Sequence, residues 1–470
     1  MATNSAQGKL DPQIVAEWHA TVRGRLMTPE HPEYDTARRV WNGAIDCFPA
    51  LILQCADAAD VVAGVRFART YDLPLAIRGG GHNVAGFGTC DGGLVLDLGA
   101  LNNVWVEPQA GGAVVGGGAT WGAVDHATQA FGLATTGGLV STTGIAGLTL
   151  GGGVGWLMRL HGLACDNLRA VDLVTAAGEL RRVNRDTDPA LFWALRGGGG
   201  NFGVVTTFEY QLHPVGPLVY AGPIFYPFEA AVTVLDGYLR WAPTLPPTVS
   251  TLLAFLTAPP MPPIPEAVQG KPVVAVIVCH VGNIAEGERL AQPLRRDFAP
   301  PAADLLGPLP YTVLQTLFDP AAPRGLRNYW KGAYIDTLPP AGQAALIRQA
   351  EAMVARSPLS QIHLQQMGGA VSEVPLDATA FAGRAAAYVA NIIGTWTTAE
   401  EDDVQKTWVR ETWAALRPYA RAETYLNFAS EAGAEDVLAT FGKERYRRLA
   451  EVKARLDPNN LFRLNHNIVP

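Results

Sequence analysis

The sequence has 470 residues, too many for a single compact core, so two or three domains are expected. Hydrophobic residues make up 48% and charged residues 17%, and the net charge of −7 leaves no Lys/Arg excess to neutralise phosphates, which excludes nucleic acid as a partner. Glycine is over-used, at 50 residues, and it lies in clusters.

The opening stretch MATNSAQGKLDPQ lacks the apolar core of a secretory leader. The longest apolar run, Val273–Cys279, is too short to span a bilayer, so a cytoplasmic protein with no membrane partner is expected. Residues 10–46 predict an amphipathic helix and an irregular entry segment. Ala50–Asp57 reads as a strand and turn. Asp60–Thr70 carries Val61, Val62, Val65 and Phe67 at helical spacing. PLAIRGGG reads as a strand running into a glycine loop. Leu94–Leu98 and Ala113–Gly118 read as strands, and Trp121–Phe131 as a helix. This β-α-β start leads into a glycine-rich second α+β unit, Thr135–Gly155 and onward. There AVDLVTA is a strand, AAGEL a hairpin turn, Asp188–Gly203 a helix ending in glycines, and Val204–Leu212 an alternating strand. His213–Leu218 reads as a linker. Beyond it proline rises, and VVAVIVCHVG, QIHLQQMGGAV and AAYVANIIGTW read as strands of an antiparallel sheet that covers a substrate on one face. The helix Asp436–Leu456 precedes the tail LDPNNLFRLNHNIVP. The expected divisions are 1–218, 219–424 and 425–470, in an α+β fold. No signal bears on oligomeric state.

The cysteines are Cys47, Cys55, Cys90, Cys165 and Cys279. Their odd number and wide spacing, with no C-x-x-C, argue against both a disulfide framework and a metal site. The glycines point to a ligand whose phosphates the backbone approaches closely. Gly198, Gly200 and Gly203 match G-x-G-x-x-G, but a helix precedes them and a strand follows, the reverse of a nicotinamide-binding unit. No P-loop occurs. His82 follows the first glycine loop, and Cys165 lies 83 positions later in GLACDN. Singly, the histidine is an ordinary polar contact and the cysteine an ordinary core residue. Together they ask for a cofactor with two electrophilic carbons. Flavin, at its 8α methyl and C6, is one such cofactor, and a neutral imidazole and a thiolate suit those carbons.

RGGGHNVAG, TTGIAGLTLGGGVG, HGLACDN, LFWALRGGGGNFGVV and FRLNHNI together resemble the berberine-bridge-enzyme-like branch of the vanillyl-alcohol-oxidase flavoproteins, from about Tyr34 onward. The resemblance implies FAD held between two α+β subdomains of a PCMH-type domain. A third domain roofs the flavin with an antiparallel sheet covered by helices. It implies FAD bonded to His82 through 8α and to Cys165 through C6. Arg78, Gly79, Gly80, Gly81 and Asn83 would cradle the pyrophosphate with Thr142, Thr143, Gly144, Ile145, Gly147, Gly152 and Gly153. Asn201 and Val205 would lie near flavin or adenine, and Asn465 and Asn467 would bond the ring system.

The same resemblance implies hydride transfer from substrate to flavin N5, with Tyr425 of the Y-x-N motif as proton acceptor. An unperturbed phenol has a pKa of about 10, so neighbouring groups would have to depress it. Asn391 stands where relatives carry a carboxylate or amide. Asparagine cannot act as a base, which argues against alkaloid cyclisation by that route and leaves a hydrogen-bonding residue. Gln365 and Gln366 are substrate candidates, of which alternation lets only one face the site. In plant relatives the residue three after the linking cysteine gates oxygen, and Leu168 is of the larger, hindering type. The reading adopted is an FAD-linked oxidase acting on an alcohol, sugar hemiacetal or related C–H of a small molecule. The alternatives are a dehydrogenase using an acceptor other than oxygen, and an idle flavin-binding protein.

Overall fold

The computed structural model describes residues 10–260 and 262–470. Residues 1–9, which hold most of the stretch read above as no leader, lie outside the described residues. Among the described residues no helix is long and apolar enough to cross a membrane, and no group of metal-ligating side chains gathers.

Three sheets organise the chain. In the first, Leu51–Gln54, Leu94–Asp97 and Leu75–Arg78 run parallel, and Arg25–Met27 adds an antiparallel edge where the sequence suggested only irregular chain. Helix Ala58–Thr70 starts because the Asp57 carboxylate accepts hydrogen bonds from the amides of Ala59 and Asp60. Its Val61, Val65 and Ala68 then bury at three-to-four spacing. The second sheet is antiparallel, ordered Val104–Glu107, Gly112–Gly116, Val204–Gln211, Leu168–Val174, Leu180–Asn184. His213–Leu218 is not a free linker. His213–Pro214 pairs with Leu133–Ala134, and Leu218 begins the next strand.

The third sheet is antiparallel and built on Leu218–Pro227, Pro272–His280, Val249–Thr257, Gln361–Gln366, Tyr388–Trp396 and Arg327–Ile335, in that spatial order. Three of these strands escape pattern reading. Val249–Thr257, for example, is buried along nearly its whole length and so has no polar alternation. One face of this sheet is apolar and packs on helices Ala231–Trp241, Pro340–Arg356 and Asp402–Leu416 through residues such as Ile362, Leu364 and Ile392. The opposite face turns towards the glycine-rich half. Ala254, Ala275 and Ile277 there pack with Trp156, while the later strands present polar side chains.

Helix Ala434–Leu456 kinks at Gly442, whose φ of +69° lies in the region that favours glycine. The tail after it is not a strand. It is held by Lys453, whose fully buried ammonium donates to the carbonyls of Asn201 and Phe462, each at 2.9 Å, and to Asp457 at 2.6 Å. Asp457 in turn accepts from the amides of Leu461 and Phe462. Removing one partner of such a pair leaves an uncompensated buried charge, so Lys453→Met is expected to cost about 3–5 kcal/mol. A lowered urea midpoint checks this.

Candidate active site

Strand Leu75–Arg78 ends in a guanidinium that is buried and donates to Asp97 at 2.9 Å, at the end of the neighbouring parallel strand. The ion pair anchors the glycine loop that leaves the sheet there. A Cβ on Gly80 would stand 2.4 Å from the amide nitrogen of Gly144, and one on Gly144 would stand 2.3 Å from that of Gly80. The two glycine loops therefore touch backbone to backbone, which any side chain would prevent. Gly147 and Gly200 differ, since a Cβ at either would meet nothing within 4 Å. Both line the main cavity, so backbone faces open space directly.

Arg78, Gly79, Gly80, Gly81, His82, Asn83, Thr143, Gly144, Gly147, Asn201, Val205 and Asn465 all line this cavity. Thr142, Ile145, Gly152, Gly153 and Asn467 do not. Ile145 sits in the core behind the loop. Gly152 and Gly153 face the turn of Cys165 and Tyr425: the Gly152 carbonyl accepts from the Cys165 amide, and the Gly153 amide donates to the Tyr425 hydroxyl. Asn201 spends its side chain on backbone, donating to Gly198 and His466 and accepting from Ile468. Its role visible here is to tie the tail to the glycine loop. Asn465 Oδ1 and His466 Nδ1, both on residues of the wall, are buried without a partner. Such atoms are costly unless a ligand satisfies them.

The His82 ring stacks on Trp41, with centroids 5.0 Å apart and planes 18° from parallel. Its Nε2 lies 2.9 Å from Thr142 Oγ1. Burial, with the nearby Arg324 charge adding, pushes its pKa down to about 4, so the imidazole is neutral.

The third sheet forms the facing wall. Gln361, His363 and Gln365 alternate along one strand, Asn391, Ile393 and Thr395 along the next, and Asn328 and Trp330 along the third. His363 and Asn391 are direct register partners. Gln366 points to the helix side, bonding Thr251 and the Ala242 carbonyl, so Gln365 is the glutamine on the cavity. Asn391 is 3% exposed, and its Oδ1 has no partner. His363 is held by Gln361 at 2.7 Å, and burial lowers its pKa to about 4. Among the described lining residues only Arg78 carries a permanent charge.

Tyr425 is buried on the wall, and its Oη accepts from the Gly153 amide at 3.1 Å and from Asn427 Nδ2 at 2.9 Å. The depressed pKa expected of it is not found. Burial outweighs those donors and raises it to about 12. Cys165 is fully buried and is not on the wall. It packs with Val154 and Tyr425, which are, and burial with the adjacent Asp166 raises its thiol pKa well above the ordinary range. Arg384, itself fully buried, pairs with Asp166 and holds this turn. Leu168 lies in the core of the second sheet, off the cavity.

Sequence reasoning missed Trp41, Trp330, Phe318, His363, His466 and Asn427. The period-two pattern of the strand carrying Gln365 marked His363, two positions before it. Asn427 stood inside the quoted Y-x-N. The aromatics come from distant segments and carried no local signal.

The comparisons agree with this geometry. A family model described as an FAD binding domain matches residues 49–184, and one described as berberine and berberine like matches residues 424–469. An FAD-linked oxidoreductase of Dictyostelium discoideum is 32% identical over 465 residues, covering 97% of both chains. The (R)-6-hydroxynicotine oxidase of Paenarthrobacter nicotinovorans is 31% identical over 471 residues, covering 96% of this chain and 97% of its own. The crystal structure of 6-hydroxy-D-nicotine oxidase from Arthrobacter nicotinovorans superposes with a TM-score of 0.84 at 29% identity, covering 96% of this chain and 98% of that one. The BBE-like 1 protein of Physcomitrella patens shares the fold at a TM-score of 0.86 and 24% identity, over 97% and 99% of the two chains. With the bare glycine backbone, the neutral histidine and the unpartnered polar atoms on one cavity, these matches are decisive: the chain belongs to the berberine-bridge-enzyme-like FAD-linked oxidoreductases of the vanillyl-alcohol-oxidase family.

Proposed function

We propose that the protein is an oxidase whose FAD is bonded to both His82 and Cys165, and that it oxidises a C–H bond of an uncharged alcohol, hemiacetal or related small molecule. The observation that supports this most is the pairing of surfaces on one cavity. A backbone cradle of glycines stands on one side, and a wall of amides, neutral imidazole and aromatic rings stands on the other. FAD supplies the two-electron acceptor when bound. The glycine loops hold its phosphates by backbone amides, and His82 and Cys165 fix its ring end. Asn391, His363 and Gln365 orient the substrate. A charged substrate would lose hydration and find no counter-charge on that wall, so a neutral one is favoured. Tyr425 takes the substrate's proton, and its hydroxyl already receives two N–H donors that stabilise the phenolate once formed.

The attachment is tested by denaturation. Acid-precipitated protein is expected to stay yellow, with an intact mass exceeding the chain by one FAD. His82→Ala and Cys165→Ala should each leave one linkage, and the double variant should release the cofactor. A colourless pellet overturns the covalent reading.

The role of Tyr425 predicts a pH profile. With a phenol pKa of about 12, kcat/KM on a neutral substrate should climb about tenfold per unit from about pH 7 to about pH 10. Tyr425→Phe should abolish the rise and lower kcat by about 10²–10⁴. A flat wild-type profile would remove Tyr425 from the proton transfer.

Oxidase and dehydrogenase separate on mixing reduced protein with oxygenated buffer. Reoxidation at least as fast as turnover is expected, and slow reoxidation would give the dehydrogenase reading.

A further inference from the structure

One side of the cavity is bounded by a segment that belongs to no strand or α-helix, residues 316–325. Both of its roots are fixed. Before it, Gln315 ends a short helix and donates to the buried Asp125 at 2.8 Å. After it, the Leu326 carbonyl accepts from the Gly43 amide at 2.8 Å, and strand Arg327–Ile335 begins. Between these roots the chain runs along the rim. Phe318, Ala321 and Ala322 line the cavity, and Ala321 is at the same time exposed to solvent. The segment therefore separates cavity from solvent there. Leu139 and Val140, next to Ser141 in the second glycine loop, line the cavity as well.

Asp319 holds the first half of this segment. One carboxylate oxygen accepts from the Ser141 amide at 2.8 Å, and the other from the Ser141 hydroxyl at 2.5 Å. The Ser141 carbonyl in turn accepts from the Gly122 amide in the first turn of helix Trp121–Gln129, so the receiving side is anchored. The second half is held by Trp41, whose indole N–H donates to the Ala322 carbonyl at 2.9 Å and whose carbonyl accepts from the Gly325 amide at 3.0 Å. Phe318, beside the carboxylate, stands between rings, its centroid 6.4 Å from that of Trp156 and 5.2 Å from that of His363. Hydrogen bonds to a carboxylate are strong and directional. They are also exchangeable, because opening trades them for bonds to water and the net cost is a fraction of the gross one. A tie between two hydratable partners suits a closure that opens and shuts, whereas an apolar seal would expose its surface each time.

We propose that Asp319 is a specificity-determining residue. Its bonds to Ser141 hold residues 316–325 against the second glycine loop, and this closure limits by size the molecules that reach the flavin ring. Dioxygen passes the closed rim, whereas a substrate or acceptor of several rings waits until Ser141 is released. Gly325 gives the far end a turning point, since its φ is +95° and a Cβ there would meet nothing within 4 Å. The inference rests on FAD in the cavity, and it uses neither the attachment at His82 and Cys165 nor the proton transfer at Tyr425. The competing account is that the same bonds only secure the end of helix Tyr311–Gln315. Removing them would then loosen the fold and change access for small and large molecules alike.

The test needs no substrate. Photoreduced holoenzyme is mixed under stopped flow with two acceptors of unlike size, dioxygen and the dye dichlorophenolindophenol. Asp319→Ala should raise the rate constant with the dye by about tenfold or more, and that with dioxygen by less than about twofold. Ser141→Ala, which keeps the amide bond, should give a smaller rise with the dye. Asp319→Asn, which can accept from that amide and donate to the Ser141 hydroxyl, should stay close to wild type. A dye rate unchanged in both alanine variants, or a rise by the same factor with both acceptors, overturns the inference. Both rates are read on the same reduced flavin, so the result is independent of how that flavin is attached.

Discussion

The backbone contact between Gly80 and Gly144 is the constraint on which the site depends. It joins the loop leaving the first, parallel sheet to the loop before helix Ile145–Leu150, at a separation that no side chain permits. The Arg78–Asp97 pair supports one side of this contact, and the Trp121 amide donating to the Thr143 carbonyl supports the other. The contact places what the first two glycine loops carry, the imidazole at the end of one and the Thr142 hydroxyl of the other. The glycines are there for approach more than for flexibility. Gly80, Gly117, Gly118 and Gly144 have side-chain space already filled by other backbone atoms.

The opposite wall follows a different rule. A strand with helices on one face and a cavity on the other separates its residues by parity. Ile362 and Leu364 enter the helix-covered core, and Gln361, His363 and Gln365 meet the cavity. Gln366 belongs to the core parity, where it is satisfied by Thr251 and the Ala242 carbonyl. The cavity-facing set is polar and uncharged, and burial keeps its histidine neutral. Such a wall discriminates through the number and direction of hydrogen bonds, with charge attraction contributing little. Leaving one bond unmade there is costly, because the wall's groups are already desolvated.

Much of this was legible in the sequence because the cradle is local. A glycine loop with a histidine at its end, a second glycine cluster, and a cysteine turn are each contiguous, so their motifs carry them. Period-two alternation told Gln365 from Gln366 in kind, though not which of the two. The sequence could not give the state of Tyr425. A motif marks the phenol as special, but burial, summed over many distant atoms, set its pKa high where the chemistry suggested low. The aromatic neighbours Trp41 and Trp330, 289 positions apart along a chain that three sheets fold together, form no pattern that a window can read. Strands such as Val249–Thr257 escaped for the same physical reason, since a strand buried throughout has no polar face to alternate against.

The glycine loop at 198–201 carries an order of events. Its Asn201 carbonyl is held by an ammonium 252 positions further on, and its side-chain amide by Ile468, 267 positions on. A growing chain that has emerged only as far as Asn201 lacks every one of those partners. The first two sheets can form on their own timetable, but the third side of the cradle stays undefined until the far end of the chain folds back. A complete cradle is thereby a property of the completed topology, closed from both ends of the chain.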